Sequence, residues 1–163
     1  MTHDTRLFQS SDASAVTSLL RDAFQNPAEA ELVLALRNDG DMALEMVCEI
    51  DGRIIGHIAY STVQAPVWAL ALAPLSVAPP YQGQGAGSDL VNRSLKHLAV
   101  KGWEAIFVLG DREYYERFGF TTVAAKNFNS PYEGDNFLAL ELKPGCLTGQ
   151  HGDVRHADAF GKL

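Results

Sequence analysis

The order of strand-like and helix-like segments predicts an α/β fold, a mixed α+β sheet with helices on both faces, and three observations carry that reading. Two strand-like runs, Met42 to Ile50 and Arg53 to Val63, flank Asp51-Gly52, a dipeptide suited to the positive backbone angles of a tight hairpin. A third run, Val67 to Val77, is almost wholly apolar, as a buried central strand must be. A long amphipathic pattern then leads from Gly85 to Lys101 and on to another apolar strand. An antiparallel meander joined to one crossover is not a doubly wound parallel sheet.

Taken in order, Thr5 to Gln9 has the short alternation of an edge strand. Ser10, Ser11 and Asp12 offer N-cap oxygens to a first helix, in which Ala15, Val16, Leu19, Leu20 and Phe24 recur at helical spacing. Asn26-Pro27 breaks it, and Ala28 to Leu36 reads as a second helix with Leu32, Val33 and Leu36 on one face. Pro74 cannot donate to a strand ladder, so a bulge or bend is expected within the third strand. Leu90, Val91, Leu95, Leu98 and Ala99 give the long helix its apolar face, and Lys101-Gly102 closes it. Ala105 to Leu109 is a short strand, Arg112 to Phe118 a short helix ended by Gly119, and Phe137 to Leu142 a further strand.

The 163 residues suit one domain over 1–163, with about 144–163 as a C-terminal tail packed on it. A chain of this length buries roughly 70% of the surface its unfolded form exposes, so it needs no metal or disulfide staple. Cys48 and Cys146 lack zinc-ligand spacing and are expected to be reduced. The start Met1-Thr2-His3-Asp4-Thr5-Arg6 lacks the basic and then apolar pattern of a secretory signal, and no run of about 18 apolar residues occurs. A cytoplasmic protein with no membrane partner is the expectation. A net charge of −7 argues against a nucleic-acid partner, which would need basic patches to neutralise phosphates. It suits a cationic acceptor such as an amine, although acidity also serves solubility.

The chemically informative stretch is Leu75-Ser76-Val77-Ala78-Pro79-Pro80-Tyr81-Gln82-Gly83-Gln84-Gly85-Ala86-Gly87-Ser88, which joins the buried strand to the long helix. Bare positions at 83, 85 and 87 let backbone approach a ligand and take angles that other residues resist. Amides at a helix N-terminus, with the helix dipole behind them, make a phosphate site. Such turns also occur merely to allow close packing. A dinucleotide fingerprint would want glycine or alanine where Ser88 stands, and a phosphate-binding Walker loop would want a Lys-Ser/Thr pair where the chain has Ser88-Asp89.

A strand ending in Leu-Ser-Val, a proline-containing link and then Gln82-x-x-Gly85-x-Gly87 opening a helix resembles the acetyl-coenzyme A signature of the GNAT superfamily of N-acetyltransferases. Farther on, Val108-Leu109-Gly110-Asp111-Arg112-Glu113-Tyr114-Tyr115-Glu116-Arg117-Phe118-Gly119-Phe120 resembles the second half of that superfamily, where a strand splays away and a short helix carries a tyrosine. With the tail Pro144-Gly145...Gly152-Asp153-Val154...Ala159-Phe160, the pattern is similar to the predicted bacterial acetyltransferases described as YhbS-like.

The resemblance implies the GNAT acyl-CoA N-acyltransferase fold, a mostly antiparallel sheet with helices on both faces and a V-shaped splay between the fourth and fifth strands. It implies acetyl-coenzyme A as co-substrate, no metal, and direct transfer to the amine of a small molecule or protein. It also allows a homodimer, since dimers are common in the superfamily. Leu75, Ser76 and Val77 would offer backbone hydrogen bonds to the pantetheine arm, lying like an added strand. The amides of Gln82, Gly83, Gln84, Gly85, Ala86, Gly87 and Ser88 would hold the pyrophosphate. Tyr115 falls where many members place the tyrosine that stabilises or protonates the departing thiolate. Gly110 and Asp111 would line the cleft between the separating strands, with Tyr114, Phe118 and Phe120 as core or cofactor-wall residues, Tyr114 and Phe118 among those that bind the cofactor.

No general base stands out. Some members carry a glutamate on the central strand, but Val67 to Val77 contains no acidic residue. His57, Glu45 and Glu49 lie on neighbouring strands, where alternation points each into the cleft or away from it. Attack by a neutral amine, or deprotonation through water, would need none of them. The missing acid motivates a second reading, an acyl-coenzyme A-binding sensor without catalysis. Both cysteines lie outside the motifs, so no cysteine relay is expected. The acceptor side is expected to be walled by about 11–38 and by Gln64-Ala65-Pro66.

Overall fold

In the computed structural model, which describes residues 2–162, the chain begins with β1 (Asp4–Leu7), α1 (Ala13–Phe24) and α2 (Ala28–Asn38). The meander follows as β2 (Met42–Ile50), β3 (Arg53–Gln64) and β4 (Ala69–Val77), and α3 (Ala86–Val100) crosses over to β5 (Ala105–Leu109). Short elements complete the chain: α4 (Arg112–Glu116), α5 (Thr122–Ala125), β6 (Phe128–Asn129), β7 (Phe137–Glu141), β8 (Gly152–Asp153) and β9 (Arg155–His156). Met1 and Leu163, the ends of the predicted domain, lie outside the described residues.

The main sheet has the order β1-β2-β3-β4-β5-β7, antiparallel at every step except the parallel pair β4–β5, while β9 adds to the end of β3. Asp51 (φ 51°) and Gly52 (φ 78°) form the tight turn between β2 and β3, and Ile50 faces Arg53 across it. Alternation along β2 sorts its side chains between two helical layers. Met46, Cys48 and Ile50 join Leu90, Val91, Leu95 and Leu98 of α3 on one face. Val47 turns the other way, into Val16 and Leu20 of α1 and Ala30 and Val33 of α2. Each fully buried Leu or Val contributes roughly 1.5–3 kcal/mol, so the helices are held on chiefly by these stripes. A third cluster lies under β5, β7 and the tail, where the Phe107 ring stacks on Phe137 at 5.6 Å and meets the edge of Phe128 at 5.3 Å.

The expected bend falls at the proline. Ile58 faces Leu75 and Tyr60 faces Leu72, so Ala73 and Pro74 together oppose Ala59 alone. Some boundaries depart from the sequence reading. The first strand is Asp4–Leu7 rather than Thr5 to Gln9, because 10–12 already turn as a 3-10 segment. Asp12 does not cap α1: its carboxylate accepts from both terminal nitrogens of Arg6 and from the Gln9 amide. The second helix runs to Asn38, two residues beyond the expected end. Among the described residues no helix is long and apolar enough to cross a membrane, and no cluster of metal-ligating side chains occurs.

Candidate active site

Strands β4 and β5 pair only from Ala69–Ala105 to Leu72–Val108. Beyond that point β4 bulges at Ala73-Pro74 and stays with β3 as far as Val77, while β5 ends at Leu109 beside β7. The two strands diverge there. In the opening lies a hollow of about 270 Å³ bordered by Leu72, Pro74, Leu75, Val108, Leu109 and Tyr115. Phe24 of α1, Glu29 and Leu32 of α2, and Tyr132, His156 and Phe160 of the C-terminal third complete its wall.

A second hollow of about 400 Å³ lies past the end of β4 and includes Leu75, Val77, Tyr81, the loop from Gln82 to Ser88 except Gln84, Tyr114 and Arg117. Leu75 borders both spaces. A 3-10 turn at Pro79–Tyr81 leads into the loop, which two glutamine side chains tie back: Gln82 Nε2 donates to the Val77 carbonyl at 2.9 Å and Gln84 Nε2 to that of Pro80 at 3.4 Å. Gly83 (φ 74°) and Gly85 (φ 91°) take left-handed angles, and a Cβ at either would meet nothing. Conformation, not space, calls for glycine at both. Gly87 differs, since a Cβ there would stand 2.8 Å from the Tyr114 hydroxyl.

The amides of Gly83, Gln84 and Gly85 donate to no backbone carbonyl of the described residues, and the first amides of α3 add the positive end of its dipole. Arg117 supplies a full charge beside them. Its Nη2 donates to Ser88 Oγ at 3.3 Å, and its guanidinium lies 4.5 Å over the Tyr114 ring. Free amides, a helix N-terminus and an arginine together fit a pyrophosphate. The sequence reading passed over Arg117, although it is the arginine of the Tyr-Tyr-x-Arg-Phe-Gly-Phe run.

Tyr115 is 8% exposed and is clasped edge-on by Tyr114 and Phe120, at 5.1 and 5.7 Å between centroids. Gly110 lies against its ring, where a Cβ would come within 2.5 Å of Cε2. Burial pushes the Tyr115 phenol above its ordinary range, so it stays protonated at neutral pH. Asp111 is occupied as the cap of α4, accepting from the Glu113 amide at 3.1 Å. Gly110 and Phe118 border neither hollow. Phe118 supports Tyr114 edge-on at 5.4 Å, with Arg117 over its ring at 5.2 Å. The side chain of Ser76 is buried in the sheet opposite His57, with no partner for Oγ among the described residues.

The considered bases are committed elsewhere. Arg37 donates to both carboxylate oxygens of Glu45, at 2.8 and 2.7 Å, and His57 Nε2 lies 2.8 Å from Glu45 Oε1. Burial pushes the Glu45 carboxyl up, but the bonds from Arg37 and His57 outweigh it and hold the group below its ordinary value. Burial holds His57 below its ordinary value against the opposing pull of Glu45. Glu49 pairs with Arg6 at 3.2 Å. None of the three borders either hollow. Cys48 and Cys146 are free, and burial raises both thiols, away from reactive thiolate. Gln64-Ala65-Pro66 borders neither hollow, with Gln64 paired to Arg155 and Pro66 against the bare face of Gly152.

A mostly antiparallel sheet opened between two parallel strands, with an anion cradle on one side of the opening and a tyrosine on the other, defines an N-acyltransferase fold. The chain belongs to the Acetyltransferase (GNAT) family, whose sequence model matches residues 13–120. It is 35% identical over 159 residues to YhbS of Escherichia coli strain K12, described as an uncharacterized N-acetyltransferase, with 93% of this chain and 95% of that protein covered. YjhQ of the same strain, another uncharacterized N-acetyltransferase, is 36% identical over 164 residues, with 91% and 88% covered. The crystal structure of YhbS in complex with CoA superposes with a TM-score of 0.92 at 34% identity, covering 98% of this chain and 92% of that one. That of a GNAT family acetyltransferase from Brucella melitensis in complex with acetyl-CoA gives 0.82 at 32% identity and covers 98% of both.

Proposed function

We propose that this acetyltransferase moves the acetyl group of acetyl-coenzyme A to the primary amine of an acceptor, by direct attack and without an acyl-enzyme. One observation carries the reading. Leu75 joins an anion cradle to the hollow that holds Tyr115, so a ligand with pyrophosphate at one end and a thioester at the other spans the two. The CoA and acetyl-CoA complexes of the YhbS and Brucella proteins support it.

Acetyl-coenzyme A supplies an activated acyl carbon and a stable leaving thiolate. The protein's part is placement. Loop amides 83–88 and Arg117 hold the diphosphate, the backbone of Leu75 to Val77 pairs with the pantetheine arm, and Tyr115 donates a hydrogen bond to the departing sulfur. Full proton transfer from Tyr115 is disfavoured, because its raised phenol is a weaker acid than a thiol of pKa about 8.5. The proton that neutralises the thiolate therefore comes from the attacking nitrogen.

Following thiol release with purified protein, acetyl-coenzyme A and a panel of amines tests the reading. Tyr115→Phe is expected to lower kcat about 10- to 100-fold, with the coenzyme A Kd within about twofold of wild type. Unchanged turnover in Tyr115→Phe removes that residue from the chemistry. Coenzyme A binding with no turnover of any amine favours the sensor.

A further inference from the structure

The wall of the Tyr115 hollow opposite β4 and β5 carries chemistry that the transfer described above does not use. Tyrosines aside, Glu29 and His156 are the ionisable residues that border it among the described residues. Each brings a buried polar atom, Glu29 Oε2 and His156 Nδ1, that has no hydrogen-bond partner among the described residues. Unpaired buried groups of this kind are costly unless a ligand or water completes them. They come from opposite ends of the chain. Glu29 sits in the first turn of α2, and β9 carries His156 in by pairing it with Val63.

His156 is held for use. Its ring packs between Tyr132 and Phe160, at 5.1 and 5.5 Å between centroids, and Nε2 lies 3.1 Å from Ser130 Oγ. In the tautomer with the proton on Nε2, Ser130 Oγ accepts from that nitrogen as well as from the Tyr132 amide, and Nδ1 keeps a free lone pair. Burial holds the imidazole below its ordinary value, so it is neutral at pH 7 and its Nδ1 is unprotonated in that tautomer.

The rest of the lining is apolar or aromatic, with Phe24, Leu32 and Phe160 opposite Leu72 and Leu75. At about 30 Å³ per water in the liquid, 270 Å³ holds about nine waters, room for an acetyl group and an amine with one ring or a short chain. Such a space suits one cation on an apolar body. A second charge would find no further acidic side chain among the described residues that border this hollow.

Resting on the acetyltransferase reading, we propose that this hollow is the acceptor site for a primary amine on an arylalkyl-sized apolar body, with Glu29 pairing the ammonium and His156 Nδ1 taking its proton. The neutral nitrogen then bonds to the acetyl carbon as the carbon–sulfur bond breaks. The second proton leaves the nitrogen for the thiolate, and His156 returns the first to solvent. Amide, free thiol and one proton are the products.

The test compares 2-phenylethylamine, spermidine and Nα-acetyl-lysine as acceptors for wild type, Glu29→Gln and His156→Gln. The first amine is expected to have at least tenfold higher kcat/KM than the other two. Glu29→Gln should raise its KM about tenfold with little change in kcat, and His156→Gln should lower kcat about 30-fold or more. With phenylhydrazine, whose nitrogen is already neutral at pH 7, the His156→Gln loss should shrink below about threefold, which a purely structural role would not produce. Calorimetry on coenzyme A-loaded wild type with the same three amines needs no variant, and should show binding of 2-phenylethylamine alone at millimolar concentration. Equal or better turnover of spermidine or Nα-acetyl-lysine overturns the acceptor class. Turnover indifferent to both substitutions overturns the assignment of Glu29 and His156 while leaving acetyl transfer standing. Absence of thiol release with every amine overturns both readings.

Discussion

Arg117 illustrates how much a single side chain adds to a cradle otherwise made of backbone. It lies over Tyr114, reaches Ser88 and brings the one full positive charge that the described residues place on the rim of the loop hollow. Because the residue is exposed, its pairing with a phosphate is partly screened by water and salt. Arg117→Ala is expected to raise the coenzyme A Kd about 5- to 10-fold by calorimetry, and the difference from wild type should shrink in high salt. The melting temperature should hardly move, since no core is disturbed. Residue-scale chemistry was only half legible in the sequence. Gly83 and Gly85 announced a loop with unusual angles, and the structure gives them left-handed φ values. Gly87 read as an approach point for a ligand and Gly110 as part of the cleft lining, yet what crowds them is a tyrosine, Tyr114 and Tyr115 respectively. No local pattern reveals a contact partner on another element.

Among the elements, the C-terminal third walls the side of the Tyr115 hollow that the proposal gives to the acceptor. β9 pairs with the last residues of β3, and Ala159, 2% exposed, packs on Leu32 and Leu36 of α2. Ala159→Glu forces a carboxylate into that contact and is expected to destabilise the protein by about 2–4 kcal/mol in urea unfolding. It should also raise the amine KM at least fivefold, while the coenzyme A Kd stays within about twofold, because the loop hollow lies on other elements. Long elements were legible because their periods had room to show, as in the stripe of α3 and the apolar run of β4. Two-residue strands such as β6, β8 and β9 have no period, and only pairing with distant segments defines them. For that reason His156 escaped the sequence reading, whereas Glu29 fell inside a helix already expected to wall the acceptor.

Across the whole molecule, buried titratable groups set the response to acid. His57 is fully buried and neutral, with a folded-state value depressed by burial, so the unfolded chain binds its proton first as pH falls. Stability from this group is complete above the unfolded value of about 6.5 and falls below it by up to about 1.4 kcal/mol per pH unit. His156, also depressed, acts in the same direction. Glu45, Asp12 and Asp89, held low in the folded state, add further losses only below about pH 4. Urea unfolding at pH 7, 6 and 5 should show a steady loss in wild type and a shallower one in His57→Gln; identical slopes would remove His57 as the source.

The sheet topology has its own consequence for how the two substrates behave. Leu75 borders both hollows, and a side chain shared in this way is felt from both sides. In the proposed arrangement, whatever factor acetyl-coenzyme A imposes on the affinity of the amine is returned in full by the amine, so calorimetry read from either substrate must give the same coupling.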